Sequence, residues 1–183
     1  MRIIEQTMWQ DAKFRKNIKD IKERYFWLYL LTCSSSKTCG IFYLPTDLMI
    51  METMLSEREI LDMLAKFTKL GLVLYNIDEE EILIYNMPKY NLCRLGKPME
   101  DCLKKELSLV KDKRLIQEMV KHLTSFCYER TNDKKISILE RAINIYKESI
   151  NTNTNTNTIN ESCHDSLVNN DKEWEEFLKE MGE

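Results

Sequence analysis

Apolar positions recur at helical spacing along most of the chain, interrupted by a few short runs of β type. Residues 22–33 set Phe26, Leu30 and Cys33 on one face, widened by Trp27 and Leu31, and predict a first helix. The density of Tyr25, Phe26, Trp27 and Tyr29 points to core rather than to a stacking platform. Ser34-Ser35-Ser36-Lys37 ends the helix as a polar loop. Gly40-Ile41-Phe42-Tyr43-Leu44 reads as a short strand, stopped by Pro45 because proline has no N–H to give to a ladder. A second helix is expected from Thr46, as N-cap, to about Leu55. Ser56-Glu57-Arg58-Glu59 is a capping box, in which the hydroxyl and the carboxylate each take a free amide of the first turn. The helix it opens, 57–70, carries Ile60, Leu64 and Phe67 on one face and stops at Leu70-Gly71. Runs 72–76 and 81–85 then flank Ile77-Asp78-Glu79-Glu80 and predict a hairpin, with consecutive carboxylates from Asp78 to Glu81 at its tip.

Residues 1–20 read as a lead-in with a strand-like start. Residues 88–98 read as a connector containing Pro88 and Pro98. Three amphipathic helices are expected at 99–110, 114–128 and 135–150. Leu103, Leu107 and Val110 line the first; Leu115, Met119, Leu123 and Phe126 the second; Ile136, Leu139, Ile143 and Tyr146 the third. Residues 151–158 repeat Asn-Thr, whose side chains compete with backbone hydrogen bonding and favour a linker. Beyond them, residues 171–181 set Trp174, Phe177, Leu178 and Met181 on one face of a short amphipathic segment, a candidate for binding a partner. The fold expected is mainly α with a small β-hairpin wing (α+β). It is a winged helix-turn-helix over residues 1–95, a helical extension over 96–150, and a flexible tail over 151–183.

Charge divides along the chain. Residues 1–150 hold 25 Lys+Arg against 22 Asp+Glu, whereas residues 151–183 hold 2 against 8. A mildly basic body with an acidic tail results. Lys13, Arg15, Lys16, Lys19, Lys22 and Arg24 crowd together ahead of and into the first helix, either as a phosphate-facing patch or as a solvated face. No run of apolar residues is long enough to span a membrane, and the first residues lack a signal pattern, so a cytoplasmic protein is expected. Six cysteines without a CxxC pair and only two histidines offer no zinc spacing. Reduced thiols and no metal or other cofactor are expected.

Phosphate-binding loops, dinucleotide fingerprints, HExxH and nucleophile elbows are all absent from the sequence, which points away from an enzyme. Nucleic-acid binding is the chemistry left. In a helix-turn-helix the exposed face of the second helix enters the major groove of duplex DNA. That face would hold Arg58, Asp62, Lys66 and Lys69, with Arg58 suited to a bidentate guanine contact and the lysines to phosphates. Lys13 and Lys16 before it, or Lys89, Arg94 and Lys97 after the wing, would add charge. Glu57, Glu59, Asp62 and the acidic wing tip work against the phosphate backbone, so binding should be weak and salt-sensitive. Winged helices also serve as protein-docking and oligomerisation modules. That leaves open an adaptor without DNA binding, a transcriptional regulator, or a homo-oligomer.

Trp9-Gln10-Asp11, then Tyr25-Phe26-Trp27-Leu28-Tyr29-Leu30-Leu31-Thr32, resembles the N-terminal domain of phage replisome organiser and replication-initiator proteins of DnaD-like type. Cys39-Gly40-Ile41-Phe42-Tyr43-Leu44-Pro45 looks like that family's strand and turn into helix two, and Ser56-Glu57-Arg58-Glu59 with Phe67 and Gly71 looks like its next helix. Tyr90-Asn91 and Gly96-Lys97-Pro98 are also similar to phage-encoded members. The resemblance covers roughly residues 9–125 and rests on order and spacing rather than on one motif. It implies a winged-helix DNA-binding domain that marks or opens a replication origin and recruits the replicative helicase or its loader. The family's C-terminal domain with a Tyr-Ile-Trp signature is not present, which leaves the acidic tail with Trp174 as the candidate recruitment element.

Overall fold

The helices over residues 21–32 and 57–69 start where the sequence supplies a side-chain cap. The computed structural model describes residues 9–10, 12–92, 96–128 and 134–152. The chain divides after Thr152 into two units, and the described residues belong to the first. Helix α1 (Ala12–Asn17) leads to α2 (Ile21–Thr32), where the Asp20 carboxylate accepts the amides of Lys22 and Glu23. Strand β1 (Ile41–Tyr43) and helix α3 (Thr46–Thr53) follow. The capping box expected at Ser56 opens α4 (Glu57–Lys69): Glu59 N–H donates to the Ser56 hydroxyl, and Ser56 N–H donates to the Glu59 carboxylate at 2.9 Å. Strands β2 (Val73–Asn76) and β3 (Glu81–Ile84) form the hairpin, then come α5 (Met87–Asn91), α6 (Lys97–Ser108), α7 (Lys113–Tyr128) and α8 (Lys134–Thr152). The architecture is mainly helical with one small antiparallel sheet. No helix among the described residues is long and apolar enough to cross a membrane.

Several boundaries differ from the sequence reading, each for a local reason. Pro45, not Thr46, holds the cap position of α3; Thr46 is the first helical residue, and its hydroxyl meets that of Tyr75 at 3.3 Å. The helix ends at Thr53 because Met54 turns left-handed at φ 58°. Residues 88–91, expected to be connector, fall within the short α5, since a proline in the first turn is missing only an amide that would have no partner there. The same holds for Pro98, which lets α6 begin at Lys97. The first and last residues of the chain, with the strand-like start, the Asn-Thr repeats and the segment at 171–181, lie outside the described residues.

The sheet runs β1-β3-β2, both pairs antiparallel. Ile41, Leu83 and Leu74 stand opposite one another, and Phe42, Ile82 and Tyr75 form the next row, on the other face because side chains alternate. Both faces are covered. Phe42, Ile82, Val73, Tyr75 and Ile84 pack with Phe26, Met49, Leu64 and Phe67 of α2, α3 and α4. Ile41 and Leu83 pack with Leu103, Leu107, Met119, Leu123, Ile143 and Tyr146 of α6, α7 and α8. All four residues of β3 are therefore buried, including Glu81.

Two features fasten the second layer to the sheet. At residues 39–40 the chain passes closely between layers: Gly40 sits at φ 76°, and a Cβ there would lie 3.0 Å from the Ile84 carbonyl and 3.2 Å from the Met119 methyl. Beside it, Cys39 N–H donates to Glu106 of α6 at 2.8 Å, and Tyr146 of α8 donates to the Cys39 carbonyl at 2.6 Å. The Cys39 thiol turns back to β1. It donates to the Ile41 carbonyl at 3.0 Å and accepts the Ile41 amide at 3.4 Å. At the far end of the sheet, the Glu81 carboxylate accepts the amides of Lys111 and Asp112, each at 2.9 Å. Asp112 in turn accepts from Asn76 Nδ2 at 2.7 Å and from the Arg114 amide at 2.9 Å. Burial opposes the charge on Asp112, but the bonds from Arg114 and Asn76 outweigh it and hold its carboxyl below its ordinary value. The hairpin is thus latched to the α6–α7 corner.

Phe67 stacks near Phe26 and meets Trp27 edge-on at 5.6 Å between ring centres. Phe67→Ala should cost about 3–5 kcal/mol in guanidinium unfolding, with tryptophan fluorescence and far-ultraviolet dichroism moving together; a loss under about 1 kcal/mol would mean that this ring is not core. Glu81→Gln replaces one of two acceptors by a donor facing amides. It should cost about 1–3 kcal/mol in the same measurement, and unchanged stability would remove the latch from the account.

Candidate nucleic-acid interface

Helix α4 buries Ile60, Leu61, Met63, Leu64 and Phe67. The opposite stripe, at four- and seven-residue steps, exposes Arg58, Asp62 and Lys69 around the half-buried Ala65. Arg58 and Lys69 are about 16 Å apart along the axis at 1.5 Å per residue. With Glu57 also exposed, this stripe carries as much negative as positive charge.

Lys66 belongs to a different side of the helix. Its ammonium reaches Glu23 of α2 at 2.5 Å, and the Glu23 side chain is only 16% exposed. One turn into α4, Lys22 pairs with Glu59 in the opposite sense. Lys22 first, and then the capping bonds from Ser56, hold the Glu59 carboxyl down to about 2. Two crossed ion pairs therefore brace α4 against α2. A third contact, Tyr29 donating to Glu52 at 2.6 Å, ties α2 to α3. Lysines that looked available to phosphates in the sequence are in this way committed to carboxylates within the fold.

The remaining basic residues divide between layers. Lys16 is exposed on α1, with Arg15 on the same helix and Lys19 just after it, and no ion pair among the described residues involves them. Lys13 is also on α1, though its side chain lies outside the described set, as does Arg94. Helix α1 belongs to the α4 side of the sheet, since Phe14 packs with Trp27 and Phe67 in the same core. Lys97 opens α6 and Lys89 lies on α5. Lys97 is exposed, but α6 packs on the other face of the sheet from α4. Trp174, Phe177 and Leu178 fall outside the described residues.

Lys89 sits in a half-buried polar nest. Its ammonium lies 3.8 Å from the centre of the Phe126 ring and donates to Asn86 at 2.9 Å. His122 Nε2 is 3.3 Å from the same Asn86 oxygen, and its ring tilts against Tyr85 with centres 4.9 Å apart. Burial first, and then the Lys89 charge, pushes His122 down to about 4. Sequence reasoning missed this nest and the latch at Glu81. The signal for the latch was Asp112 immediately before a helix, a capping position that reads equally well as part of a charged joint.

Among the described residues no three His, Cys, Asp or Glu side chains are grouped to hold a metal ion. Comparison with protein-family models, with curated proteins and with solved structures finds no match.

An unfolded histidine titrates near 6.5, above the value in the fold, so the unfolded chain takes up a proton first as the pH falls. Stability from His122 should therefore be complete above about pH 6.5 and decline towards about pH 4. The loss should be only about 1 kcal/mol, because the ring is partly exposed and screened. Comparing the wild type with His122→Gln in denaturant titrations across that interval tests this; identical slopes for the two proteins would refute it.

Proposed function

We propose that this chain is a winged-helix protein that binds duplex DNA through the exposed stripe of α4 and acts in the initiation of DNA replication in a phage or prophage setting. The observation carrying the first half is the wiring: helix, strand, helix, helix, then a hairpin whose last strand pairs with the first, in the order β1-β3-β2. In a helix-turn-helix of that wiring α4 would be the second helix, and Arg58 and Lys69 are exposed on it. Arg58 reads a base edge, and Lys69 meets a phosphate. Arg15, Lys16 and Lys19 extend the phosphate contacts from the same layer. The replication role rests on the resemblance of residues 9–125 to phage replisome organisers, and recruitment of a helicase or its loader falls to the acidic tail around Trp174.

A second reading, a protein-docking adaptor that leaves DNA alone, has specific support of its own. Lys22 and Lys66 are neutralised by Glu59 and Glu23, and the hairpin tip carries Asp78, Glu79 and Glu80. With so few uncommitted cations, duplex affinity must come from a small number of phosphates.

Fluorescence anisotropy of labelled duplexes over a salt series separates the readings. The four phosphate contacts of Lys69, Arg15, Lys16 and Lys19 predict a logarithmic salt slope of about −3 to −4. Arg58→Ala should weaken binding and relax preference at one base pair by about 1–3 kcal/mol. Lys69→Ala should weaken all duplexes alike. Lys66→Ala should change stability rather than affinity. No binding at low salt by the folded protein would sink the DNA reading and leave the adaptor.

A further inference from the structure

Helix α4 carries three carboxylates, Glu57, Glu59 and Asp62, and they are not equivalent. Glu59 accepts from Lys22 and from the amide and hydroxyl of Ser56, so its charge is used inside the fold. Glu57 lies in the first turn, where the free amides of a helix start favour an acid. Asp62 has neither role. It is exposed beyond the first turn, and among the described residues it makes no hydrogen bond or ion pair.

Its isolation is a product of the packing. An acid followed four residues later by a lysine is the favourable order for a pair along a helix. Asp62 and Lys66 have that spacing, yet Lys66 is drawn to Glu23 of α2. The other four-residue neighbour, Arg58, would pair in the weaker, cation-first order, and no such pair forms. Ala65, three residues on, adds only a half-buried methyl group beside the short Asp62 side chain. A bare carboxylate thus stands in the middle of the outer stripe, between Arg58 and Lys69.

In water such a group costs little. Against a duplex it meets phosphates and the acceptor atoms of guanine and thymine. The donors in the major groove are amino groups, cytosine N4 and adenine N6, and a carboxylate is matched to cytosine N4. A base pair that places an acceptor there leaves a desolvated charge without a donor, a larger penalty than a missing contact. Arg58 and Asp62 both lie in the N-terminal half of α4, the part of such a helix that touches base edges. Four residues span about 6 Å of helix axis, and stacked bases lie about 3.4 Å apart, so the two side chains stand about two base pairs from each other.

We propose, as an inference that rests on the duplex-binding reading above, that Asp62 sets a second base preference. Its carboxylate accepts the N4 amino group of a cytosine about two base pairs from the guanine that Arg58 reads. The carboxylate that weakens α4 for duplexes in general thereby selects among them.

The test is selection by the full chain from duplexes with a randomised stretch of about ten base pairs, followed by sequencing of what is retained. Wild type, Asp62→Asn, Asp62→Ala and Arg58→Ala are compared, with dichroism and melting to show that each is folded. Wild type should enrich a guanine and, separately, a cytosine favoured about fivefold or more over the other bases. Asp62→Asn should change the cytosine to adenine, whose N6 and N7 suit an amide, and keep the guanine. Asp62→Ala should erase the second preference alone and tighten binding to unselected duplexes. Arg58→Ala should erase the guanine alone. Unchanged base preferences in both Asp62 variants, or retention of duplexes without an enriched cytosine, would overturn the proposal and leave duplex binding standing. So would loss of the guanine in Asp62→Ala, which would make Asp62 a support for Arg58. A folded wild type that retains no duplex at low salt would overturn both the proposal and the reading beneath it.

Discussion

Strand β3 is the constraint on which the rest depends. Four residues long, it has neighbours on both edges and a packed layer on both faces, so each of its side chains has one permitted surrounding. Ile82 and Ile84 belong to the core under α4, Leu83 to the core under α7, and Glu81 to the latch. A shift of register by one residue would exchange the two sets and place the Glu81 carboxylate within a hydrocarbon layer. The helices after the hairpin therefore help to specify the sheet itself. Their stability and that of the α2–α4 layer are linked through the sheet, with β3 at its centre.

The same economy governs the surface of α4. Its orientation relative to α2 is set by two ion pairs of opposite sense, Lys22 with Glu59 and Lys66 with Glu23. Exposed pairs contribute little to stability. Their larger effect here is on which charges face outward: they withdraw two lysines and leave Arg58, Asp62 and Lys69.

Much of the element order was legible in the sequence because it is written in local signals. The capping box at Ser56, the glycine stop at Gly71 and the periodicity through Phe67 each act within a few residues. Burial of Phe26 and Phe67 followed from spacing alone. What could not be read is long-range. Nothing local says that Lys66 faces Glu23, 43 residues away, or that Lys89 turns to Phe126 instead of to solvent. The helix at Met87–Asn91 was hidden by Pro88, which signals a break in one context and a first turn in another. Hydrophobic runs on both faces of β3 likewise gave no warning that the hairpin would be covered on each side, since a short apolar strand reads the same in either case.

The thiol of Cys39 has a consequence beyond its own hydrogen bonds. In β1 the main-chain groups of Gly40 and Leu44 turn towards β3, so those of Ile41 turn outward, along the open margin of the sheet. An outward-facing amide and carbonyl are what a foreign strand would need to extend the sheet. Here both are already taken by sulfur from two residues upstream. At Ile41, though not at Tyr43 further along the strand, the margin is closed from within the chain. Recruitment of this protein into amyloid-like ladders through β1 is thereby discouraged at the first rung, and the safeguard lasts only while that sulfur stays reduced.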